Sequence, residues 1–424
     1  MKHIPQQDNT NMDEMPDITA TYGINDAFFD FIDKHSTCDT AKLLLSKSNN
    51  ATDFDLKFAV MQIHCRQRIT KKLPQIVRLK HFLFPSALAT EQCTCQVVAQ
   101  FHSTLFEGMH SVADLTAGLG IDDYYIAQQV KTLTSVEITQ LLATTLRHNM
   151  DLYRPNVTVV NADAFTWLGQ AIANGLRFDA VFIDPARRGE NDRRIYSLTD
   201  CQPNVLQLLD PIKHITDTLF IKASPMYDVA QCISEVPGIT HIWIVAVNNE
   251  CKELLLRTSL DANSNLEKKV TINTLNFENE DSPQSLTLSI PRSNTPPIKY
   301  CDRILTFLYE PNCCIMKAQA FNELTAIYDQ LLKLSVNTHL FTADTAYTDF
   351  PGRSFKVIET IPFKSSCIKQ VRTKYPKANI STRNFRLSAQ ELKKKLKIDD
   401  GGNIYIFATT SGSDNLLVIT KKLQ

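Results

Sequence analysis

The sequence predicts an α/β protein whose central part is a doubly wound, mostly parallel sheet. Apolar runs of strand length alternate with helical segments between residues 108 and 265. A glycine turn follows the first of these runs, and four of the runs end at or just before an acidic residue. Alternating strands and helices are typical of a parallel sheet that carries helices on both faces.

The glycine turn Thr116-Ala-Gly-Leu-Gly120 follows a run that contains Asp114, and a helix is predicted to begin near Asp122. A strand–glycine–helix unit exposes backbone N–H groups, so it can bind a nucleotide-like ligand. The spacing begins like a dinucleotide fingerprint, but Asp123 occupies the position of the third glycine. We expect an acid there to repel phosphate, which favours a sulfonium cofactor. A tight βα connection without any ligand would show the same turn.

The next three runs also lead to acids, namely Glu137, Asp163 and Asp184. In an open parallel sheet, ligands bind outside the carboxyl ends of the strands. Glu137 could accept hydrogen bonds from both ribose hydroxyls. Asp163 could accept one from an adenine amino group, while the backbone N–H of Ala164 meets a ring nitrogen. One such acid alone usually caps a helix, but four together predict a cofactor site.

These residues, together with Asp184-Pro185-Ala186-Arg187, resemble class I S-adenosylmethionine-dependent methyltransferases. More narrowly, three motifs resemble bacterial methyltransferases with a THUMP-like domain: Asn248-Asn-Glu-Cys-Lys-Glu253, Phe350-Pro-Gly-Arg353 and Asn379-Ile-Ser-Thr-Arg-Asn384. The resemblance implies a Rossmann-like sheet, S-adenosylmethionine as the cofactor and RNA as the substrate, because THUMP modules in better-understood relatives bind structured RNA. The predicted cofactor-binding residues are Asp114, Thr116, Gly118, Gly120, Glu137, Asp163, Ala164 and Asp184.

Five segments are predicted along the chain. A disordered start (1–20) precedes a helical amino-terminal domain (21–107) and the S-adenosylmethionine-binding domain (108–265). The resemblance implies a small ferredoxin-like linker domain (266–343) and a basic, α+β THUMP-like domain (344–424). Within the linker domain the pattern predicts one helix over residues 315–334.

The predicted catalytic residues are Asp184, Pro185 and Arg187. Methyl transfer from a sulfonium is an in-line displacement, so catalysis depends mostly on positioning and desolvation. A carboxylate and the following carbonyl can accept hydrogen bonds from an exocyclic amine and aim its lone pair at the methyl group. Amine methyltransferases often carry Asp/Asn-Pro-Pro-aromatic, whereas Ala186 and Arg187 stand here in the last two positions. A guanidinium can stack on a base, so we favour a base nitrogen as the acceptor.

The Asp184–Arg187 motif also resembles RNA enzymes that methylate carbon 5 of uridine. Those enzymes need a cysteine at the end of the next strand, where this chain has Ile221-Lys-Ala-Ser224. Cys201 and Cys232 fall within segments predicted to be helical. The sequence therefore disfavours carbon-5 chemistry.

Five residues are predicted to bind the substrate: Arg188, Arg193, Arg194, Asn248 and Asn249. The arginines form a dense basic loop that could clamp phosphate. A solvated loop with ion pairs to Glu190 and Asp192 would have the same composition.

Charge is distributed unevenly along this chain of 424 residues, although 45 Lys and Arg balance 45 Asp and Glu. From Pro351 to Gln424 there are 15 Lys and Arg against 5 Asp and Glu, a net charge of +10. The preceding residues therefore carry a net charge of −10. Such asymmetry predicts that the carboxyl-terminal domain binds a polyanion, here tRNA or rRNA. A basic surface without a partner is the alternative.

Composition excludes several other classes of protein. No apolar run approaches 18 residues, so no membrane span is expected. The 11 cysteines show no CxxC pair, and no spacing suggests a metal site. We predict a cytoplasmic protein. Two functional alternatives stay open, a non-catalytic RNA-binding or assembly factor and a nicotinamide-dependent enzyme, and the sequence does not reveal the oligomeric state.

Overall fold

The computed structural model describes residues 15–47, 52–187, 198–261, 269–278, 282–292, 296–412 and 414–423. The chain divides into two compact units. The first contains Met1–Ala223, Val236–Gly238 and Arg257–Ser264. The second contains Ser224–Glu235, Ile239–Leu256 and Asn265–Gln424.

Short helices occupy the described part of the chain before the first strand. They are α1 (Ile18–Tyr22), α2 (Asp26–Lys34), α3 (Thr40–Lys47), α4 (Leu56–Ile69), α5 (Pro74–Val77), α6 (Ala87–Gln92) and α7 (Gln96–Thr104). Side chains cap several of them, as when Asn25 Oδ1 accepts the N–H of Phe28 at 3.0 Å and Asp55 Oδ1 accepts that of Phe58 at 2.9 Å. A buried cluster that includes Phe28, Phe58 and Ile63 joins the first four of these helices. The predicted helical amino-terminal region is therefore confirmed.

Strands and helices then alternate through the rest of the first unit. The elements are β1 (Ser111–Asp114), α8 (Ile121–Ile126), β2 (Thr132–Glu137), α9 (Gln140–Tyr153), β3 (Val157–Asn161), α10 (Ala164–Ala173), β4 (Ala180–Ile183), β5 (Ala186–Arg187), β6 (Cys201–Gln202), α11 (Val205–Ile212) and β7 (Thr218–Ala223). A single 3₁₀ turn, Leu198–Asp200, precedes β6.

The main strands of this unit are parallel, as the sequence predicts. β1 pairs with both β2 and β4, β2 pairs with β3, and β4 pairs with β7. The resulting order is β7-β4-β1-β2-β3, so the direction of strand addition reverses at β1 and β4. Such a reversal opens a crevice at the carboxyl ends of the strands, which is where ligands bind in doubly wound sheets.

The second unit begins with α12 (Val229–Glu235), β8 (Ile239–Val247), β9 (Glu250–Ser259), β10 (Val270–Phe277) and β11 (Gln284–Ile290). The last three residues of β9 belong to the first unit. β10 runs parallel to β8 and antiparallel to β11, and β8 neighbours β9. β10 and β11 thus share a sheet with β8, whereas the prediction places them in the ferredoxin-like linker domain. The predicted segment boundaries stay predictions.

The remaining elements form a second sheet with short helices. They are β12 (Phe307–Pro311), α13 (Cys313–Ala318), α14 (Phe321–Ile327), β13 (Leu332–Lys333), β14 (Phe341–Ala343), β15 (Gly352–Pro362), α15 (Cys367–Lys374), β16 (Asn379–Arg383), α16 (Ala389–Leu396), β17 (Ile404–Ser411) and β18 (Asp414–Lys422). The strand order is β13-β14-β12-β15-β18-β17-β16. α15 and α16 contribute to a core that includes Val371, Leu392 and Ile406.

Two local predictions are wrong. The single helix expected over residues 315–334 is instead α13, α14 and β13, because Gln319 adopts a left-handed conformation, φ 51°, that ends α13. Cys201 lies in the short strand β6 rather than in a helix. None of the described helices combines the length and apolar character that crossing a bilayer requires.

Candidate active site

A cleft of about 860 Å³ opens at the carboxyl ends of β1, β2, β3 and β4. Five carboxylates line it: Asp114, Asp122, Glu137, Asp163 and Asp184. Among the described residues that line the cleft there is no lysine, arginine or histidine. Clefts lined by one sign of charge concentrate the opposite charge. This wall of the cleft therefore favours a cationic ligand over a phosphate.

The glycine turn is shaped by two residues with positive φ angles, Gly118 at 57° and Gly120 at 77°. The N–H of Gly120 donates to the carbonyl of Ala117 at 2.8 Å. A Cβ on Gly120 would lie 2.0 Å from Cδ1 of the buried Leu146 in α9. Only glycine therefore combines this backbone conformation with close packing of the turn on α9.

Glu137, at the end of β2, holds the glycine turn in place. Its Oε2 accepts the N–H of Gly118 at 2.9 Å, and its Oε1 accepts the N–H of Thr139 at 2.7 Å. The residue is buried but lines the cleft. A carboxylate has about four lone-pair sites, so each oxygen can accept a further hydrogen bond, such as one from a ribose hydroxyl.

Asp163 both caps a helix and lines the cleft. Its Oδ1 accepts the N–H groups of Phe165 and Thr166 at 3.0 and 3.1 Å, so it is the N-cap of α10. Phe165 and Ile138, which are 41% and 60% exposed, line the same part of the cleft together with Ala164. An acceptor oxygen beside two exposed apolar side chains could hold a flat heterocycle that carries an amino group.

Asp114 and Asp123 form a carboxyl pair beneath the glycine turn. Both are buried, and Ser135 Oγ donates to Asp123 Oδ2 at 2.5 Å. Burial raises the pKa of both carboxyls, that of Asp123 to about 7, and the charge of Asp123 further raises the pKa of Asp114. A side-chain hydrogen bond between the two carboxyls raises the pKa of Asp114 and opposes the rise at Asp123, so the pair is expected to share a proton. The expected repulsion of phosphate by Asp123 was wrong in its geometry, because this side chain does not line the cleft.

The carboxyl pair predicts a pH dependence of stability. A carboxyl whose pKa is higher in the folded than in the unfolded state binds its proton more tightly when folded. The free energy of unfolding should therefore decrease as the pH rises from about 4 to about 7, by at most about 1.4 kcal/mol per pH unit for each of the two carboxyls. Asp123→Asn keeps an acceptor for Ser135 and a donor for Asp114, so it should weaken this dependence. Urea unfolding at pH 4.5 and 7.5 measures it.

Asp151→Asn, which changes an exposed acid in α9, is the matched control and should leave the pH dependence unchanged. Equal pH slopes for wild type and Asp123→Asn would contradict the shared proton.

Asp184 and Pro185 lie where β4 ends, and both line the cleft. The N–H of Asp184 donates to Thr116 Oγ1 at 2.7 Å, and Thr116 Oγ1 in turn donates to Asp114 Oδ1 at 3.2 Å. Thr116, which is predicted to bind the cofactor, therefore connects the end of β1 to the end of β4. The Asp184 side chain is 41% exposed, which leaves it accessible from the cleft.

Sequence reasoning missed the groups behind Asp184. Lys222 Nζ donates to Asp184 Oδ2 at 2.6 Å and to Thr94 Oγ1 at 2.9 Å. Asp122 and His102 complete this cluster, in which His102 Nδ1 lies 2.8 Å from Asp122 Oδ1. The sequence signal for Lys222 is a lysine inside the apolar run of β7. The other contacts arise only from the tertiary fold.

The remaining predicted residues are placed as follows. The backbone of Arg187 pairs with Cys201 across β5 and β6, but its side chain lies outside the described part of the structure. The loop arginines also lie outside the described residues, namely Arg188, Arg193 and Arg194. In the second unit, Asn248 and Asn249 form the two-residue turn between β8 and β9, with φ angles of 51° and 63°. Their predicted role in substrate binding stays a prediction.

One thiol also lines the cleft, that of Cys93. Burial raises its pKa to about 11, although Lys72 acts in the opposite direction. A thiol with so high a pKa is a poor nucleophile near neutral pH. Cys93 therefore does not supply the nucleophile that carbon-5 methylation of uridine requires.

The carboxyl-terminal part of the chain matches two protein families. Residues 352–422 match a family described as THUMP domain-like, and residues 307–351 match a family described as a ferredoxin-like domain. No curated protein matches the chain.

Solved structures extend the similarity to nearly the whole chain. A candidate methyltransferase from Porphyromonas gingivalis W83 is 29% identical, with a TM-score of 0.83, over 94% of this chain and 98% of that protein. The predicted α/β fold is therefore confirmed, and so is the resemblance to methyltransferases with a carboxyl-terminal THUMP-like domain.

Other similarities are partial. The S-adenosylmethionine-dependent methyltransferase from Agrobacterium tumefaciens is 14% identical, with a TM-score of 0.30, over 39% of this chain and 61% of that protein. A candidate RNA methyltransferase from Pyrococcus horikoshii is 18% identical, with a TM-score of 0.29, over 46% of this chain and 98% of that protein. TM-scores this low do not establish a common fold.

Proposed function

We propose that this chain is an S-adenosylmethionine-dependent methyltransferase that modifies a base nitrogen of structured RNA, in tRNA or rRNA. The observation that carries the proposal is the meeting of four strand-end acids, Asp114, Glu137, Asp163 and Asp184, in one cleft. The similarity to a candidate methyltransferase along nearly the whole chain supports it.

The chemistry of the cleft fits this cofactor. A sulfonium with an amino acid group and a ribose suits a wall of acidic side chains without a lining cation, whereas the pyrophosphate of a dinucleotide does not. Glu137 has acceptor capacity left for ribose hydroxyls, and Asp163 beside Phe165 can hold adenine. When bound, the cofactor supplies an electrophilic methyl group. Nicotinamide chemistry is disfavoured on the same electrostatic grounds.

The protein's part in the reaction is to orient the acceptor. The Asp184 carboxylate and the Pro185 carbonyl would each accept a hydrogen bond from an exocyclic amine, which fixes the direction of its lone pair. We propose that Arg187 stacks on the base and that Arg188, Arg193 and Arg194 contact phosphates. Asn248 and Asn249 remain proposed substrate contacts.

The proposed RNA substrate rests on the carboxyl-terminal domain. Residues 352–422 match the THUMP domain-like family, and the region has a net charge of +10. Exposed cations lie on both of its helices, including Lys369 and Arg372 on α15 and Lys394 on α16. Such a surface attracts the phosphate backbone.

Transfer of a labelled methyl group tests the function. The purified chain is incubated with tritiated S-adenosylmethionine and total RNA, taken either from cells that lack the gene or from the parent cells. We expect label to enter only the RNA from cells that lack the gene, since the site in parental RNA is already methylated. Mass spectrometry of the digested RNA should then identify one N-methylated nucleoside.

Labelling of protein or DNA instead of RNA would contradict the substrate class. A chain that binds RNA but transfers no methyl group to any fraction would favour the non-catalytic RNA-binding or assembly factor.

A further inference from the structure

We propose that Lys222 is a positioning residue, which holds the Asp184 carboxylate in its working orientation, and that Thr94, Asp122 and His102 hold Lys222. This inference rests on the proposed function, because it assigns Lys222 a role in orienting the methyl acceptor. It also gives the amino-terminal helical region a part in the site.

Lys222 lies between two carboxylates. Its Nζ is 2.6 Å from Asp184 Oδ2 and 3.9 Å from Asp122 Oδ2. The lysine side chain is only 13% exposed, whereas that of Asp184 is 41% exposed. Lys222 therefore contacts the Asp184 carboxylate from the buried side of the cluster.

Asp122 is fixed by two groups from the amino-terminal helical region. Thr94 Oγ1 donates to Asp122 Oδ2 at 2.5 Å, and His102 Nδ1 lies 2.8 Å from Asp122 Oδ1. His102 is completely buried in α7. Burial raises the pKa of Asp122, but Lys222, His102 and Thr94 outweigh this effect and lower it to about 2. Asp122 is therefore an anion that retains Lys222 as its counter-ion.

Thr94 forms hydrogen bonds with both Asp122 and Lys222. Its hydroxyl donates to Asp122 and accepts from Lys222, so the three side chains restrict each other's rotamers. Without Lys222, the Asp184 carboxylate would lose the ion pair that holds its Oδ2. A misplacement of about 1 Å near the reacting atoms can cost about 100-fold in rate.

Substitutions at Lys222 test the proposal, with labelled methyl transfer to RNA from cells that lack the gene and with calorimetry of S-adenosylhomocysteine. Lys222→Met keeps the length of the side chain but removes its charge, so we expect kcat to fall about 100-fold. Affinity for S-adenosylhomocysteine should change less than about threefold, because Lys222 does not line the cleft. Lys222→Arg should recover at least about tenfold of the lost kcat, because it restores the cation.

Two further variants keep the test decisive if Lys222→Met folds poorly. Thr94→Val leaves the ion pair and removes only the hydroxyl, so kcat should fall about tenfold. Lys213→Met removes an exposed lysine that pairs with Asp210, and it should behave as wild type.

Wild-type kcat in both Lys222→Met and Thr94→Val would overturn the proposal. A parallel loss of kcat, cofactor affinity and thermal stability, equal in Lys222→Met and Lys222→Arg, would also overturn it and assign the cluster a purely structural role. A wild-type chain that neither binds S-adenosylhomocysteine nor transfers methyl would instead remove the proposed function and this inference with it.

Discussion

Asp184→Ala is expected to abolish detectable methyl transfer while RNA binding is retained. The variant loses the carboxylate that accepts a hydrogen bond from the target amine, and removal of one such pre-organised group typically costs about 100- to 1000-fold in kcat. Lys222 keeps Asp122 as an ion-pair partner in this variant, so the substitution leaves no uncompensated buried cation. Tritium transfer and RNA gel-shift titration measure the two properties separately.

Asp184→Asn is the matched variant. It keeps an acceptor oxygen for the amine and for Lys222 but removes the negative charge, so its kcat should lie between wild type and Asp184→Ala. If Asp184→Ala loses RNA binding and activity together, the substitution has damaged the fold rather than the chemistry. Full activity in Asp184→Ala would contradict the assigned role of Asp184.

Glu137→Ala should cause the largest loss of cofactor affinity, at least about 100-fold in the Kd for S-adenosylhomocysteine. Glu137 accepts the N–H groups of Gly118 and Thr139, so its removal releases the glycine turn and leaves both donors without this partner. It also removes the predicted acceptor of the ribose hydroxyls. Hydrogen bonds to a charged group contribute about 1.5–3 kcal/mol each, and about 1.4 kcal/mol corresponds to a factor of 10.

Calorimetry, carried out well below the melting temperature of each variant, measures this loss. Asp163→Ala should have a smaller effect, about tenfold, because the Asp163 side chain is exposed and one of its oxygens already caps α10. Asp210→Ala is the control. It changes an exposed acid in the last turn of α11 and should bind the cofactor product as wild type does. Unchanged affinity in a folded Glu137→Ala variant would show that the ribose does not bind at the end of β2.

The strand-end acids could be predicted because their positions follow from local pattern alone. A strand of the apolar core ends where the polar residues begin, and parallel strands bring their carboxyl ends to one edge of the sheet. Asp114, Glu137, Asp163 and Asp184 therefore meet in the cleft as the sequence indicates. The positive φ angles of Gly118 and Gly120 are equally local properties.

The direction in which a helical side chain points was harder to predict from the sequence. Asp122 and Asp123 are adjacent at the start of α8, yet the first lines the cleft and contacts Lys222 whereas the second contacts Ser135. Successive helical residues point about 100° apart, so a shift of one residue in register exchanges their roles. The predicted repulsion between Asp123 and phosphate failed for this reason.

Other features depend on contacts between segments that are distant in sequence. The cluster of Thr94, His102, Asp122 and Lys222 joins a loop and three elements that are separated by up to 128 positions. The turn at Asn248 and Asn249 did carry a local signal, because asparagine tolerates the positive φ angles that a two-residue hairpin turn requires. We predicted substrate contacts there instead, and the structure adds a role in the turn.

Calorimetric titration of the folded full-length chain with S-adenosylhomocysteine tests the central claim, that the acid-lined cleft binds a sulfonium cofactor, most directly. We expect saturable binding at one site per chain, which Glu137→Ala greatly weakens, and no binding of NADH under the same conditions. Saturable binding of NADH, with no heat from S-adenosylhomocysteine or S-adenosylmethionine, would contradict it.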